Sequence, residues 1–157
     1  MLSPESLAQI DQEIAKYPVE HKHSAVMSAL RIAQVEKGWL STETMDFVAR
    51  YLEMPPVAVY EVASFYNMYD LKPVGKYKIT VCSNLSCTLR GAEGVIEHLK
   101  EKLGIDFGET TPDGRFTLKE GECMGACGDA PLFTINNHKM IGFLTPEKVD
   151  QILAELE

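Results

Sequence analysis

A chain of 157 residues, 45% of them hydrophobic, is long enough for one ordinary domain or a compact domain with a helical extension, and too short for two large ones. Its formal net charge of −8 argues against binding phosphate backbones, which takes clustered Lys and Arg, and equally against an acidic membrane surface. No apolar run approaches the ~20 residues that cross a bilayer, and the segment before Val19 is amphipathic and acidic where a secretory signal would be basic and then apolar, so the expected location is cytoplasmic, without nucleic acid and without direct membrane insertion.

The first seventy residues read as helices. Pro4 to Tyr17 carries Leu7, Ile10 and Ile14 at helical spacing, and Pro18 stops it. A second helix is expected from about Lys22 to Lys37, with Val26, Met27, Leu30, Ala33 and Gln34 along one side and Gly38 as its C-terminal stop. Ser41 has the chemistry to cap a third, whose Met45, Val48, Ala49 and Leu52 face inward. Pro55 and Pro56 open a fourth, with Val59, Val62, Ala63 and Tyr66 as its stripe. Trp39, Phe65, Tyr66, Met68 and Tyr69 are expected to be mostly core, with some left exposed for docking.

At Lys72-Pro73-Val74-Gly75 the pattern changes from helical to strand. Tyr77 to Cys82 reads as a buried strand, a helix follows from about Gly91 to Leu103 on Val95, Ile96, Leu99 and Leu103, and Thr111 to Gly114 is turn chemistry. Phe116 to Gly121 reads as a second strand, and the helix between makes the two parallel. Leu132–Ile135 and Met140–Phe143 flank Asn136 to Lys139 as a hairpin, and Thr145 caps a last helix with Val149, Ile152, Leu153 and Leu156 inside. The expected fold class is α+β, a helical bundle over 1–72 followed by a thioredoxin-like layer of order β-α-β-β-β-α over 73–157.

The chain has four cysteines in two pairs. Cys82 and Cys87 are separated by four residues, Cys123 and Cys127 by three, and thirty-five residues lie between the pairs. Each pair follows a predicted strand, and parallel neighbours end at the same edge of a sheet, so the two loops converge. A reducing compartment disfavours disulfides, and no two cysteines stand two residues apart as a thioredoxin-type thiol catalyst requires. Four converging thiolates suit an Fe₂S₂ core, in which each iron takes two protein sulfurs, and a structural zinc site remains open on spacing alone. Such a core carries a formal charge of about −2 when oxidised and about −3 when reduced, so backbone N–H groups of Ser83 to Ser86 and Met124 to Ala126 are expected to donate to the sulfurs. Gly125 and Gly128 are expected to let the backbone wrap closely.

The residues around the cysteines narrow the reading. Val81-Cys82-Ser83-Asn84, Cys87, Leu89-Arg90-Gly91-Ala92-Glu93, Gly108 to Gly114, Glu122-Cys123-Met124-Gly125-Ala126-Cys127 and Ala130-Pro131, with Gly38-Trp39-Leu40-Ser41 and Val59 to Tyr66 upstream, resemble the E subunits of bacterial respiratory NADH:quinone oxidoreductase (complex I). The likeness covers about residues 25 to 157, and all four cysteine positions match. It implies a thioredoxin-like [2Fe–2S] ferredoxin domain behind a small helical domain, with Cys82, Cys87, Cys123 and Cys127 as cluster ligands. It also implies docking on a flavoprotein subunit that carries FMN and binds NADH, next to other peripheral subunits at the cytoplasmic side of the inner membrane. The same architecture occurs in soluble NAD-linked hydrogenases and formate dehydrogenases.

Partner dependence also has support from the residues themselves. No Gly-x-Gly-x-x-Gly opens a helix after a strand, so nicotinamide and flavin are expected on another chain, and this one holds no complete active site. NADH yields two electrons together while a [2Fe–2S] cluster takes one, so a flavin must divide them. His21 and His23 are expected to point apart on a helix, His98 to lie on the outer side of its helix and His138 in a turn, none as a ligand. Arg90 can offset cluster charge or pair with a partner carboxylate, or be a plain exposed Arg. The acidic residues are spread along the helices as solvated faces.

Overall fold

A computed structural model describes residues 1–156, which divide into two compact units, Met1–Pro73 and the remainder from Val74. In the first unit, helix α1 spans Pro4–Ile14, started by Ser3, whose Oγ accepts the Ser6 N–H at 3.2 Å. It stops short of the expected Tyr17 because the N–H groups of Lys16 and Tyr17 turn back to carbonyls three residues earlier, just ahead of Pro18. The second helix likewise begins later than expected. Val19–Ala25 is a 3₁₀ segment broken at His21, and α2 spans Val26–Lys37, because Glu20 to Ser24 offers no apolar stripe to hold an α-helical turn on the core. Gly38 closes α2 at φ 81°.

Helix α3 spans Thr42–Leu52 with Ser41 as its cap, the Thr44 N–H reaching Ser41 Oγ at 3.1 Å, and α4 spans Pro56–Phe65. Ile10, Leu30, Leu40, Val48, Leu52 and Val59 meet as the core of this unit. Gln34 ties the segment after α4 to α2, its amide nitrogen donating to the Met68 carbonyl at 2.9 Å and its oxygen accepting the Asp70 N–H at 2.7 Å. Of the five large side chains expected to be mostly core, only Tyr69 is buried. Phe65 is 80% exposed, Met68 and Tyr66 are exposed and Trp39 is half-buried. Tyr66 falls beyond the end of α4 with extended backbone, which takes it off the helical stripe.

In the second unit, strand β1 (Tyr77–Cys82) is followed by a short helix α5 (Leu85–Leu89), α6 (Ala92–Leu103), β2 (Phe116–Gly121), β3 (Phe133–Ile135), β4 (Lys139–Ile141) and α7 (Pro146–Glu155). The sheet order is β2-β1-β3-β4. Strands β1 and β2 run parallel from Tyr77↔Phe116 to Cys82↔Gly121, and β1 with β3 and β3 with β4 are antiparallel. The fold class is therefore α+β as expected, and the crossover carries α5 in addition to the expected helix. The hairpin turn is shorter than expected, Asn136 to His138, with Asn136 and Asn137 in the left-handed region, so Lys139 already belongs to β4.

Ile79, Val81, Leu118 and Phe133 of the sheet pack with Val95 and Leu99 of α6 and Val149, Ile152 and Leu153 of α7. Helices α6 and α7 are joined by His98 Nε2 and Asp150 Oδ1 at 2.9 Å, so His98 faces its neighbouring helix rather than the outer side. His21 and His23 also depart from expectation. Their rings meet edge to face with centroids 5.7 Å apart, because the 3₁₀ segment breaks at His21 and loses α-helical spacing. No helix among the described residues is long and apolar enough to cross a membrane.

Candidate metal centre

The parallel pairing of β1 and β2 positions the cysteines. Cys82 is the last residue of β1 and sits in register with Gly121, the last residue of β2, so both cysteine loops leave the same edge of the sheet. Asn84 opens α5 by accepting the Leu85 N–H on its side chain at 2.9 Å, and this short helix turns Cys87 inward. Cys82 and Cys87 are both buried, 3% and 1% exposed, in a small apolar cluster with Ala92, Ala130 and Leu132. Cys123 and Cys127 lie on the second loop and are exposed. None of the four is in a disulfide.

Its surroundings act on the Cys87 sulfur. Burial pushes the Cys87 thiol up to about 11, and the adjacent Cys82 thiol, followed by the charge of Cys127, pushes the same way, while the Leu132 N–H draws it down. Cys87 as a free thiol therefore keeps its proton at neutral pH, and a metal centre must displace it to gain the ligand. The Cys82 thiol lies 3.8 Å from the Glu122 carbonyl oxygen, which joins the end of β1 to the approach of the second loop. The Gly125 N–H donates to Cys123 Sγ at 3.4 Å, one of the expected backbone donors to sulfur. No three His, Cys, Asp or Glu side chains among the described residues surround one point closely enough to hold a single ion. A two-iron core asks instead for thiolates in pairs, and the donor set here is two pairs of soft sulfurs on loops leaving one sheet edge, which fits it.

The family model that matches is that of the thioredoxin-like [2Fe–2S] ferredoxins, over residues 10–157. The chain belongs to that family. An iron–sulfur cluster and the electron-transfer role of a ferredoxin come with membership. Among curated relatives, the ferredoxin chain is 45% identical over 152 residues to the E subunit of the NADH-quinone oxidoreductase of Rickettsia bellii, covering 96% of this chain and 90% of the relative. It is 41% identical over 147 residues to subunit 2 of the NADH-quinone oxidoreductase of Thermus thermophilus, covering 94% and 81%. Both relatives are named as parts of an oxidoreductase complex. Among solved structures, an NAD⁺-reducing [NiFe]-hydrogenase matches with a TM-score of 0.70 at 21% identity, over 81% of this chain and 22% of that one, a likeness of fold.

No protein atom stands within 4 Å of where a Cβ would lie on Gly125 or Gly128, and Gly125 takes a φ of 70° that favours glycine. Among the crowded glycines are Gly121, whose Cβ would run into Thr80 and Met124, and Gly142 in the segment after β4. Sequence reasoning missed both, and it missed Leu132, whose backbone serves Cys82 and Cys87 together. The signal available for Gly121 was its place at the end of a strand paired with a cysteine-bearing one. Arg90 is exposed directly after α5.

Proposed function

We propose that this chain is the [2Fe–2S] electron-transfer subunit of a bacterial respiratory NADH:quinone oxidoreductase, with one cluster held by Cys82, Cys87, Cys123 and Cys127. The observation that carries the reading is the delivery of two cysteine loops to one sheet edge by parallel β1 and β2, with the Cys82 thiol 3.8 Å from the Glu122 carbonyl oxygen at the start of the second loop. The names of the relatives support the host complex. When bound, the cluster supplies a one-electron acceptor. The chain's own residues supply thiolate ligands, a buried wall at Cys82 and Cys87, and an N–H donor at Gly125.

The partner in this reading is the FMN-bearing, NADH-binding subunit, joined by the other peripheral subunits at the cytoplasmic face of the membrane. FMN on that partner would divide the two electrons of NADH, and this chain's cysteine site would then take them singly. The helical unit over 1–72 and the ferredoxin unit over 73–157 are separate domains in this account.

The test uses the purified full chain. It is expected to contain about two irons and two acid-labile sulfides, to be bleached by dithionite, to resist NADH alone, and to be reduced by NADH once the flavoprotein partner is added. Stoichiometric zinc without iron in anaerobically prepared protein overturns the cluster. Direct reduction of the flavin-free chain by NADH overturns the division of labour.

A further inference from the structure

The segment after β4 passes close to the backbone of Asp129. A Cβ on Gly142 would stand 2.5 Å from the Asp129 carbonyl oxygen and 2.6 Å from Asp129 Cβ, well inside ordinary van der Waals contact. That oxygen is held in place, because it accepts the Phe143 N–H at 2.6 Å. One residue on, the Leu144 N–H donates to the Pro131 carbonyl at 3.0 Å, and from the first turn of α7 Lys148 Nζ donates to the Gly142 carbonyl at 2.6 Å. Phe143 itself takes φ 51°, a left-handed conformation that a bulky residue adopts only where its surroundings impose it.

The segment gripped in this way is the far support of the second cysteine loop. The Asp129 N–H donates to the Ala126 carbonyl at 3.0 Å and the Ala130 N–H to the Cys127 carbonyl at 3.4 Å. Leu132 then reaches the first pair, its carbonyl accepting the Cys82 N–H at 3.1 Å and its N–H donating to the Cys87 sulfur. Residues 127 to 132 thus join both halves of the cysteine set, and the 142–144 corner fixes where they lie.

We propose that Gly142 is a positioning residue for the cysteine site, its missing Cβ allowing the 142–144 corner to clamp Asp129 and so hold Cys127 in its place on the second loop. The inference rests on the reading of Cys127 as a cluster ligand. Gly94, on α6, has open space and no left-handed φ, whereas Gly142 has no space to spare.

The experiment compares Gly142→Ala and Gly94→Ala in the full, cluster-loaded chain by the visible circular dichroism and reduced-state paramagnetic spectrum, by the rate of iron loss to a chelator, and by thermal unfolding of the cluster-free protein. Gly142→Ala is expected to change the spectra and to speed iron loss on the order of 10-fold, the scale on which outer supports of metal ligands act, with Gly94→Ala close to the parent. Should Gly142→Ala fail to fold, Lys148→Met removes the hydrogen bond to Gly142 from a surface side chain and is expected to speed iron loss in the same direction. Unchanged spectra and iron loss in a folded Gly142→Ala chain, even with a lowered melting temperature, overturn the proposal, as does a parent-like Lys148→Met chain where Gly142→Ala cannot be made. A parent chain that carries zinc and no iron overturns the cluster reading itself, which is a different result.

Discussion

Gly121→Ala puts a methyl group on the last rung of the β1–β2 pair, the one that ends in Cys82. Its Cβ would meet Met124 Cε, the free end of a flexible side chain that can swing away, and Thr80 Cγ2 at 2.8 Å, about six-tenths of an ångström inside the 3.4 Å at which ordinary contact begins. Thr80 is β-branched and stiff at χ1, so relief has to come from parting the strands. Overpacking of that kind costs about 1–3 kcal/mol, and the gain from a less flexible unfolded chain returns about 0.4–1 kcal/mol, leaving a net loss near 1–2 kcal/mol. For a unit of this size that lowers the melting temperature by about 4–15 °C. Thermal unfolding of the cluster-free, reduced protein by far-UV circular dichroism measures it. Adding Thr80→Ser deletes Cγ2 and should recover most of the loss. An unchanged or raised melting temperature for Gly121→Ala, or no recovery in the double variant, refutes the argument from crowding.

Leu118→Ala, in the centre of β2 and fully buried, should cost about 2–5 kcal/mol by calorimetry, while the same change at Leu89, 77% exposed on α5, should stay within about 0.5 kcal/mol. Cys127→Ser should weaken or abolish the cluster, since an alkoxide is a harder ligand than a thiolate for iron, and unchanged iron content and spectrum would remove Cys127 from the ligand set. In the helical unit, the Lys37 side chain and then the Ser3 N–H, at 2.9 Å, hold the Glu36 carboxyl down at about 2 from an ordinary 4.5. With the folded-state value depressed, the tie of α1 to α2 is fully present above pH 4.5 and fades as the pH falls toward 2. Unfolding midpoints followed by the fluorescence of Trp39, the one tryptophan, should fall through that window, and Glu36→Gln should remove the part of the fall that this carboxylate causes.

Where the chain states its local rule in residue type, the sequence could be read closely. Tyr77 to Cys82 and Phe116 to Gly121 are strands over those same residues, Ser41 and Thr145 cap their helices through their hydroxyls, and Gly38 ends α2 with a positive φ. The cysteine pairs fall on two loops at one edge because parallel pairing demands it. Helix α5 escaped because five residues are too few for a periodic stripe, and its cap at Asn84 reads equally as a turn. The roles of Gly121 and Gly142 depend on what stands opposite them in space, at Thr80 and Asp129, which adjacency in sequence does not reveal. Phe65 and Met68 were misread for a related reason, since composition marks a side chain as apolar and only packing decides whether anything covers it.

The outer flank of β2 is occupied by the chain's own segment 108–111. Gly108 and Thr111 donate to the Leu118 and Phe116 carbonyls at 2.8 Å, and the Leu118 N–H donates to the Glu109 carbonyl at 3.1 Å. The opposite flank, β4, is three residues long and starts with Lys139. Exposed strand edges are templates on which foreign chains add themselves, and short, charged or covered edges withhold that template. A freshly made polypeptide therefore offers little for another copy to zip onto, which favours survival as a separate molecule through the interval before its cluster is assembled.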